Sequence, residues 1–365
     1  MSIRRDPDST SHLPLAVSFE RRSFLLGAGA LTATAAFGMN AHAQSGERIV
    51  VADPGGPFGA AFGKAFHEPF KQETGITSVQ IAREHEPTAQ VAAMAKTKNY
   101  TWDVVTLTLS ARDILNKQGL LEPLDWNMPD MNEIMKEARD PNWMGTDVYC
   151  TIIAYRTDKF GNTGPQSWRD FFDVEKFPGR RGMRRSPIDT LEEALLADGV
   201  APDKLYPLDV DRAFKKLDQI KKHISVWWTG GAQTTQLLQS GEVDMIPTWN
   251  ARAQTVTDAG GPVRIEWNQG LYSIEGWGIP KGNPKTNIAR RFVAFTANAK
   301  RQADFTPNLA YGPTNPNAYK FIDKQTAAKL PTAPDIFPKI ILAQEDWWSA
   351  NRQKAEERFT AWMLT

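Results

Sequence analysis

The chain is poor in the residues that bind metals or close disulfides, and it has almost no net charge to hold it to a polyanion. Cys150 is the one cysteine in 365 residues, which excludes an intramolecular disulfide. The five histidines are scattered, with no His-x-x-x-His and no Cys/His cluster, so a zinc site is not expected, and no motif of the chain implies a metal or organic cofactor. Neither a Gly-x-Ser-x-Gly elbow nor a Walker loop occurs. A formal charge of +1 argues against a nucleic acid or an anionic membrane as partner. What the chain does hold is twelve Trp and 24 Pro, which suit a rigid, aromatic-lined cleft. Its length allows roughly two domains.

Residues 1–43 read as an export signal. Paired Arg21 and Arg22 stand before Ser23-Phe24-Leu25-Leu26, the twin-arginine form, and an uncharged run from Gly27 to Asn40 follows. That run falls short of the roughly 20 residues a membrane span needs. Ala41-His42-Ala43 is a small-x-small cleavage site, so the mature chain is expected to start at Gln44 in the bacterial periplasm. The segment holds four arginines and three acids, so the remainder carries no net charge. No later stretch approaches 18 apolar residues in a row, so a soluble mature protein is expected.

The mature chain opens as alternating strands and helices. Arg48–Ala52, Val79–Ala82 and Trp102–Leu107 read as strands. Phe58, Phe62, Phe66 and Phe70 recur every four residues, a helical stripe closed at Gly75. Ala89–Lys98 and Ala111–Gln118 are the next helices. This order predicts a parallel sheet with helices on its faces, whose ligands sit beyond the carboxyl ends of the strands. A second unit starts near Val148. Its strands are Cys150–Tyr155, Ser225–Trp228 and Val243–Trp249, with helices at Thr190–Asp198, Val210–His223 and Thr234–Ser240. Gly276–Pro280 reads as a returning strand, Asn287–Ala299 as a helix, and a last helix starts near Pro338.

Seven short motifs keep this order: Phe70-Lys71-Gln72-Glu73-Thr74-Gly75-Ile76, Trp102-Asp103-Val104-Val105, Phe177-Pro178-Gly179-Arg180, Leu238-Gln239-Ser240-Gly241-Glu242-Val243-Asp244, Trp249-Asn250-Ala251-Arg252, Glu275-Gly276-Trp277-Gly278-Ile279-Pro280 and Tyr311-Gly312-Pro313-Thr314. Together they resemble the type II periplasmic solute-binding proteins of ABC transporters, in the spermidine/putrescine-binding branch near its γ-aminobutyrate-binding relatives. The resemblance implies two α/β lobes, each a mixed sheet flanked by helices, with a small solute clamped between them by hinge closure. Lobe 1 would hold 47–148 and 277–330, and lobe 2 would hold 149–276 and 338–365. The implied partner is an inner-membrane permease, and the binding protein is expected to be a monomer.

Polyamine binders of this branch hold a dication with carboxylates and aromatic rings. Here Glu275 and Asp189 match carboxylate positions and Tyr311 a ring position. The first turn reads Asp53-Pro54-Gly55-Gly56-Pro57-Phe58 where polyamine binders bear aromatic residues, the Thr108-Leu109-Ser110 turn lacks the family's tyrosines, and Ser273 replaces a tryptophan. Other residues point to an anionic end on the ligand. Arg252 follows Trp249 and Asn250 at a strand end and can fork onto a carboxylate. Gly55 and Gly56 let backbone N–H groups approach a ligand, and the Thr229-Gly230-Gly231 turn offers the same. The candidate ligand residues are Gly55, Gly56, Phe58, Asp189, Trp228, Thr229, Trp249, Arg252, Glu275 and Tyr311. Arg252 with Glu275 suits a zwitterion such as an ω-amino acid, ahead of putrescine or spermidine.

Plainer roles stand beside these. Arg252 could pair with Asp244 or Asp258, Asp189 could cap the helix from Thr190, and Asp53 could stabilise its turn. Phe58 could cover the ligand or fill the core. Trp227 and Trp228 alternate on a strand, so one faces the core and Trp228 is expected to face the cleft. Trp347 and Trp348 read as packing. The rival functions are an exported glycosidase using Glu192 or Glu193 with Glu242, and a subunit that presents its ligand to a sensor.

Overall fold

A computed structural model describes residues 46–83 and 87–365. The export signal and its cleavage site lie outside these residues. Residues 46–365 form one compact unit around a mixed sheet. Its strands are β1 (Arg48–Asp53), β2 (Thr77–Ala82), β3 (Val104–Thr108), the two-residue β4 (Arg139–Asp140), β5 (Trp143–Arg156), β6 (Arg181–Arg184), β7 (Ile224–Trp228), β8 (Met245–Trp249), β9 (Val263–Gly278), and the short β10 (Gly312–Pro313) and β11 (Ile341–Leu342). The main order is β2-β1-β3-β9-β5-β8-β6-β7.

The first three strands pair in parallel, each followed by a helix, as the apolar strands and the phenylalanine stripe predict. Phe58, Phe62 and Phe66 stack at 4.1 and 4.9 Å between ring centres, and Gly75 ends the helix with φ 73°. At the other end of the sheet β6 pairs in parallel with β7 and with β8. Between these two groups run β5 and β9, 14 and 16 residues long and antiparallel to each other. Both are longer than the apolar runs Cys150–Tyr155 and Gly276–Pro280 suggest. Polar Thr146, Asp147 and Ser273 lie buried within them and break the apolar pattern.

Two hydrophobic clusters form the core, and the first reaches both ends of the sheet, from Phe62 to Trp228 and Ile246. One gathers Phe62, Phe66, Val105, Trp143, Trp277 and Phe292. The other gathers Trp168, Phe171, Leu195, Phe214, Trp348 and Phe359. The helix expected at Asn287–Ala299 is in fact two. One spans Thr286–Thr296, and Asn298 then caps a second, Ala299–Phe305, by accepting from the N–H groups of Lys300 and Arg301. The last helix starts at Glu345 rather than near Pro338, because Ile341 and Leu342 first pair with Leu271 and Tyr272 of β9.

Candidate ligand-binding site

A cavity of about 470 Å³ opens over the crossing strands. Its floor is the face of β5 and β9 that carries Tyr149, Leu271, Ser273 and Glu275. Tyr149 and Ser273 lie opposite each other in register, and residues two apart on a strand share a face. The wall is built by the Pro54–Phe58 turn, the start of the Leu109–Lys117 helix, Arg184, Ile188 and Asp189, the end of β8 with the Asn250–Asp258 helix, the Thr306–Tyr311 segment, Thr326 and Lys329, and the first turns of the C-terminal helix Glu345–Met363.

Eight of the ten candidate ligand residues line this cavity: Gly55, Gly56, Phe58, Asp189, Trp249, Arg252, Glu275 and Tyr311. Trp228 and Thr229 do not. Trp228 is 0 % exposed, packed edge-on against Trp249 with ring centres 6.0 Å apart. Trp227, on the opposite face of β7, packs against Phe359 and Trp362 of the C-terminal helix. Both faces of that strand are therefore covered, and the cavity begins beyond Trp249. Thr229 is exposed, its N–H held by the Gln233 side chain.

The turn after β1 needs its glycines. Gly55 and Gly56 have φ of 69° and 56°, and a Cβ on Gly55 would stand 2.8 Å from that of Ala82. Asp53 serves this turn: its carboxylate accepts from the Gly55 N–H at 2.6 Å and from the Gln80 amide at 2.9 Å. Phe58 does both of the things open to it, lining the cavity while its ring packs on Phe62.

Asp189 precedes the Thr190–Ala197 helix with φ 68°, but its side chain does not cap that helix. Instead it accepts from Thr151 Oγ1 at 3.0 Å and from Arg184 Nη1 at 2.8 Å. Arg252 pairs with neither suggested aspartate. Asp244 is taken by Arg180 at 2.9 Å and Asp258 by Lys329 at 2.6 Å. Among the described residues Arg252 forms no ion pair; it packs with Trp249 against Gly231. Glu275 keeps 13 % of its side chain exposed and lies 3.9 Å from the Arg83 guanidinium.

Tyr311 ties these charges together. Burial and the charge of Glu275 raise its phenol well above the ordinary value, while Arg252 acts on the same phenol in the opposite sense. Its ring stands 5.9 Å from that of Tyr149. Tyr149 is raised likewise, by burial, then by Glu345 and Glu275.

Tyr149, Arg184, Ser273, Glu345 and Arg352 line the cavity without having been singled out as ligand residues by the sequence. Glu345 accepts from the Ser273 hydroxyl at 3.1 Å, which brings the C-terminal helix onto the floor. The charged wall residues balance: Arg184, Arg252, Lys329 and Arg352 against Asp189, Asp258, Glu275 and Glu345.

A cavity lined by charged and aromatic residues over crossing strands is the geometry of a solute trap. The family model for bacterial extracellular solute-binding proteins matches residues 65–334. The chain belongs to that family. This solute-binding protein is 34 % identical over 335 residues to a γ-aminobutyric acid-binding protein of Pseudomonas aeruginosa, covering 90 % of this chain and 94 % of the relative. The structure of an ABC transporter substrate-binding protein from Bradyrhizobium japonicum USDA 110 is 40 % identical, with a TM-score of 0.82 over 87 % of this chain and 99 % of that one. The structure of a GABA receptor, Atu4243, is 34 % identical, with a TM-score of 0.79 over 87 % and 97 %. The mixed α/β architecture of this solute-binding protein is thus that of ABC-transporter binding proteins.

Proposed function

We propose that this chain captures an ω-amino acid of the γ-aminobutyrate type and delivers it to an ABC importer. The observation that carries the reading is that Glu275, Arg252 and Tyr311 line one cavity, both charges acting on the Tyr311 phenol. A ligand lying along Tyr311 would set its ammonium on Glu275 and its carboxylate on Arg252. The neutral charge balance of the wall suits a zwitterion better than a dication such as putrescine. The γ-aminobutyrate-binding relatives support the same choice.

The lobes in this reading are 47–148 with 277–330, and 149–276 with 338–365, closing over the ligand and docking as a monomer on an inner-membrane permease. Export to the periplasm by the twin-arginine route, with cleavage after Ala43, belongs to the same proposal. It is checked by the N-terminal residue of the secreted protein.

Thermal melting of residues 44–365 with γ-aminobutyrate, putrescine, spermidine, α-amino acids and simple carboxylates tests the ligand. A ligand at 100 to 1,000 times its Kd adds about 2.7–4.1 kcal/mol of stability, a shift of several degrees. A shift with γ-aminobutyrate that putrescine does not match supports the reading. A shift with diamines alone overturns it.

A further inference from the structure

On the face that forms the cavity floor lies a buried carboxyl group that the ligand reading does not use. Asp147 on β5 stands directly opposite Glu275 on β9, so the two side chains share one face of the sheet. Asp147 is 0 % exposed, and among the described residues neither of its carboxylate oxygens has a hydrogen-bond partner. On its other side it pairs with Pro313 of β10, which has no N–H to offer. The ionisable groups that face it are Glu275 from β9, Arg83 after β2 and Tyr311 ahead of β10. Tyr149 lies two residues along its own strand.

A buried carboxylate without a donor costs several kcal/mol, and taking up a proton relieves that cost. Burial and then the charge of Glu275 push the Asp147 carboxyl well above its ordinary range, against the opposing pull of Arg83. An ammonium group arriving at Glu275 would offset the Glu275 charge and so favour ionised Asp147.

We infer that Asp147 holds a proton in the empty protein and releases it to solvent when the ligand's ammonium group settles on Glu275. The O–H bond of the carboxyl breaks, its electron pair stays on the carboxylate, and water takes the proton. Asp147 acts here through Glu275, as a positioning residue for charge. By linkage, amine affinity rises with pH, by up to about tenfold per pH unit for one whole proton. The inference rests on the ligand reading above for the group that displaces the proton.

Two measurements test it. Titration calorimetry with γ-aminobutyrate, run near neutral pH in phosphate and in Tris, should give heats that differ by the buffers' protonation heats in the sense of proton release. Asp147→Asn imitates the neutral acid, so it should still bind while losing both the buffer difference and the pH dependence of Kd. Equal heats in both buffers for the unaltered protein, or a buffer difference that survives in Asp147→Asn, would overturn the inference. The second measurement needs no ligand. The infrared difference between the unaltered protein and Asp147→Asn near neutral pH should contain the band of a protonated carboxyl. A carboxylate band in its place overturns the inference even if γ-aminobutyrate does not bind. Silence of γ-aminobutyrate in the calorimeter, with the protonated band present, would instead remove the ligand reading alone.

Discussion

Arg184 holds Asp189 at 2.8 Å inside the cavity wall, with its guanidinium carbon 5.5 Å from the Trp249 ring and 5.7 Å from that of Trp228. The aspartate's charge is therefore already met by the protein. Glu275 stands farther from its cation, 3.9 Å from Arg83, and in the proposed reading it is the carboxylate that meets the amine. Asp189→Asn should destabilise the fold by about 3 kcal/mol, because it leaves a largely buried guanidinium without its partner. It should discriminate little between amines and carboxylic acids. Urea unfolding and a ligand series check the two halves of this expectation.

Arg252 and Glu275 should divide the ligand between them. Arg252→Ala is expected to weaken γ-aminobutyrate by roughly 2–5 kcal/mol and n-butylamine hardly at all. Glu275→Gln should weaken both. Calorimetric Kd values for the two ligands against the two variants give the answer in four numbers. Equal losses from Arg252→Ala for both ligands would take its guanidinium off the carboxylate.

Gly231 opens the Gly231–Ser240 helix without lining the cavity. A Cβ there would stand 2.6 Å from the Trp249 ring and 2.9 Å from Arg252 Nε. Gly231→Ala should push both side chains out of place, lowering stability by about 1–3 kcal/mol and weakening carboxylate ligands more than amines. Melting curves and the same Kd series read both effects.

Stability should fall on either side of an intermediate pH. Glu192 is buried, its Oε1 accepting at 2.6 Å from both Tyr206 and Trp348, and burial raises its carboxyl to about 8. A carboxyl raised in the folded state loses stability as pH climbs from its unfolded value, about 4.3, up to the folded one. His67 acts in the opposite direction. Burial lowers its imidazole to about 4, so its contribution is lost as pH falls from about 6.5 towards that value. Glu192→Gln keeps the acceptor for Tyr206 and Trp348. Its melting temperature should stay near that of the unaltered protein at pH about 5 and exceed it at pH about 8. Melting curves across that range decide the sign.

Much of the fold is legible in the chain because its outer strands are short apolar runs with glycine at helix ends, as at Gly75 and Gly241. The crossing strands are less legible. Asp147, Ser273 and Glu275 interrupt their apolar pattern because they sit beside or under the ligand cavity, so the polarity that hides the strand marks the site. Arg252 and Tyr311 stand out within short motifs. Glu345 and Arg352 do not, since they belong to a helix whose Trp348 and Phe359 advertise only core packing. Trp228 misleads for the opposite reason: strand alternation gives two faces, but it cannot show that both are covered.

The most direct test is a crystal structure of residues 44–365 with γ-aminobutyrate. The account predicts one molecule over the β5–β9 floor, its carboxylate on Arg252, its ammonium on Glu275, and its chain along Tyr311. A ligand bound in reverse, or held away from both charges, would contradict it.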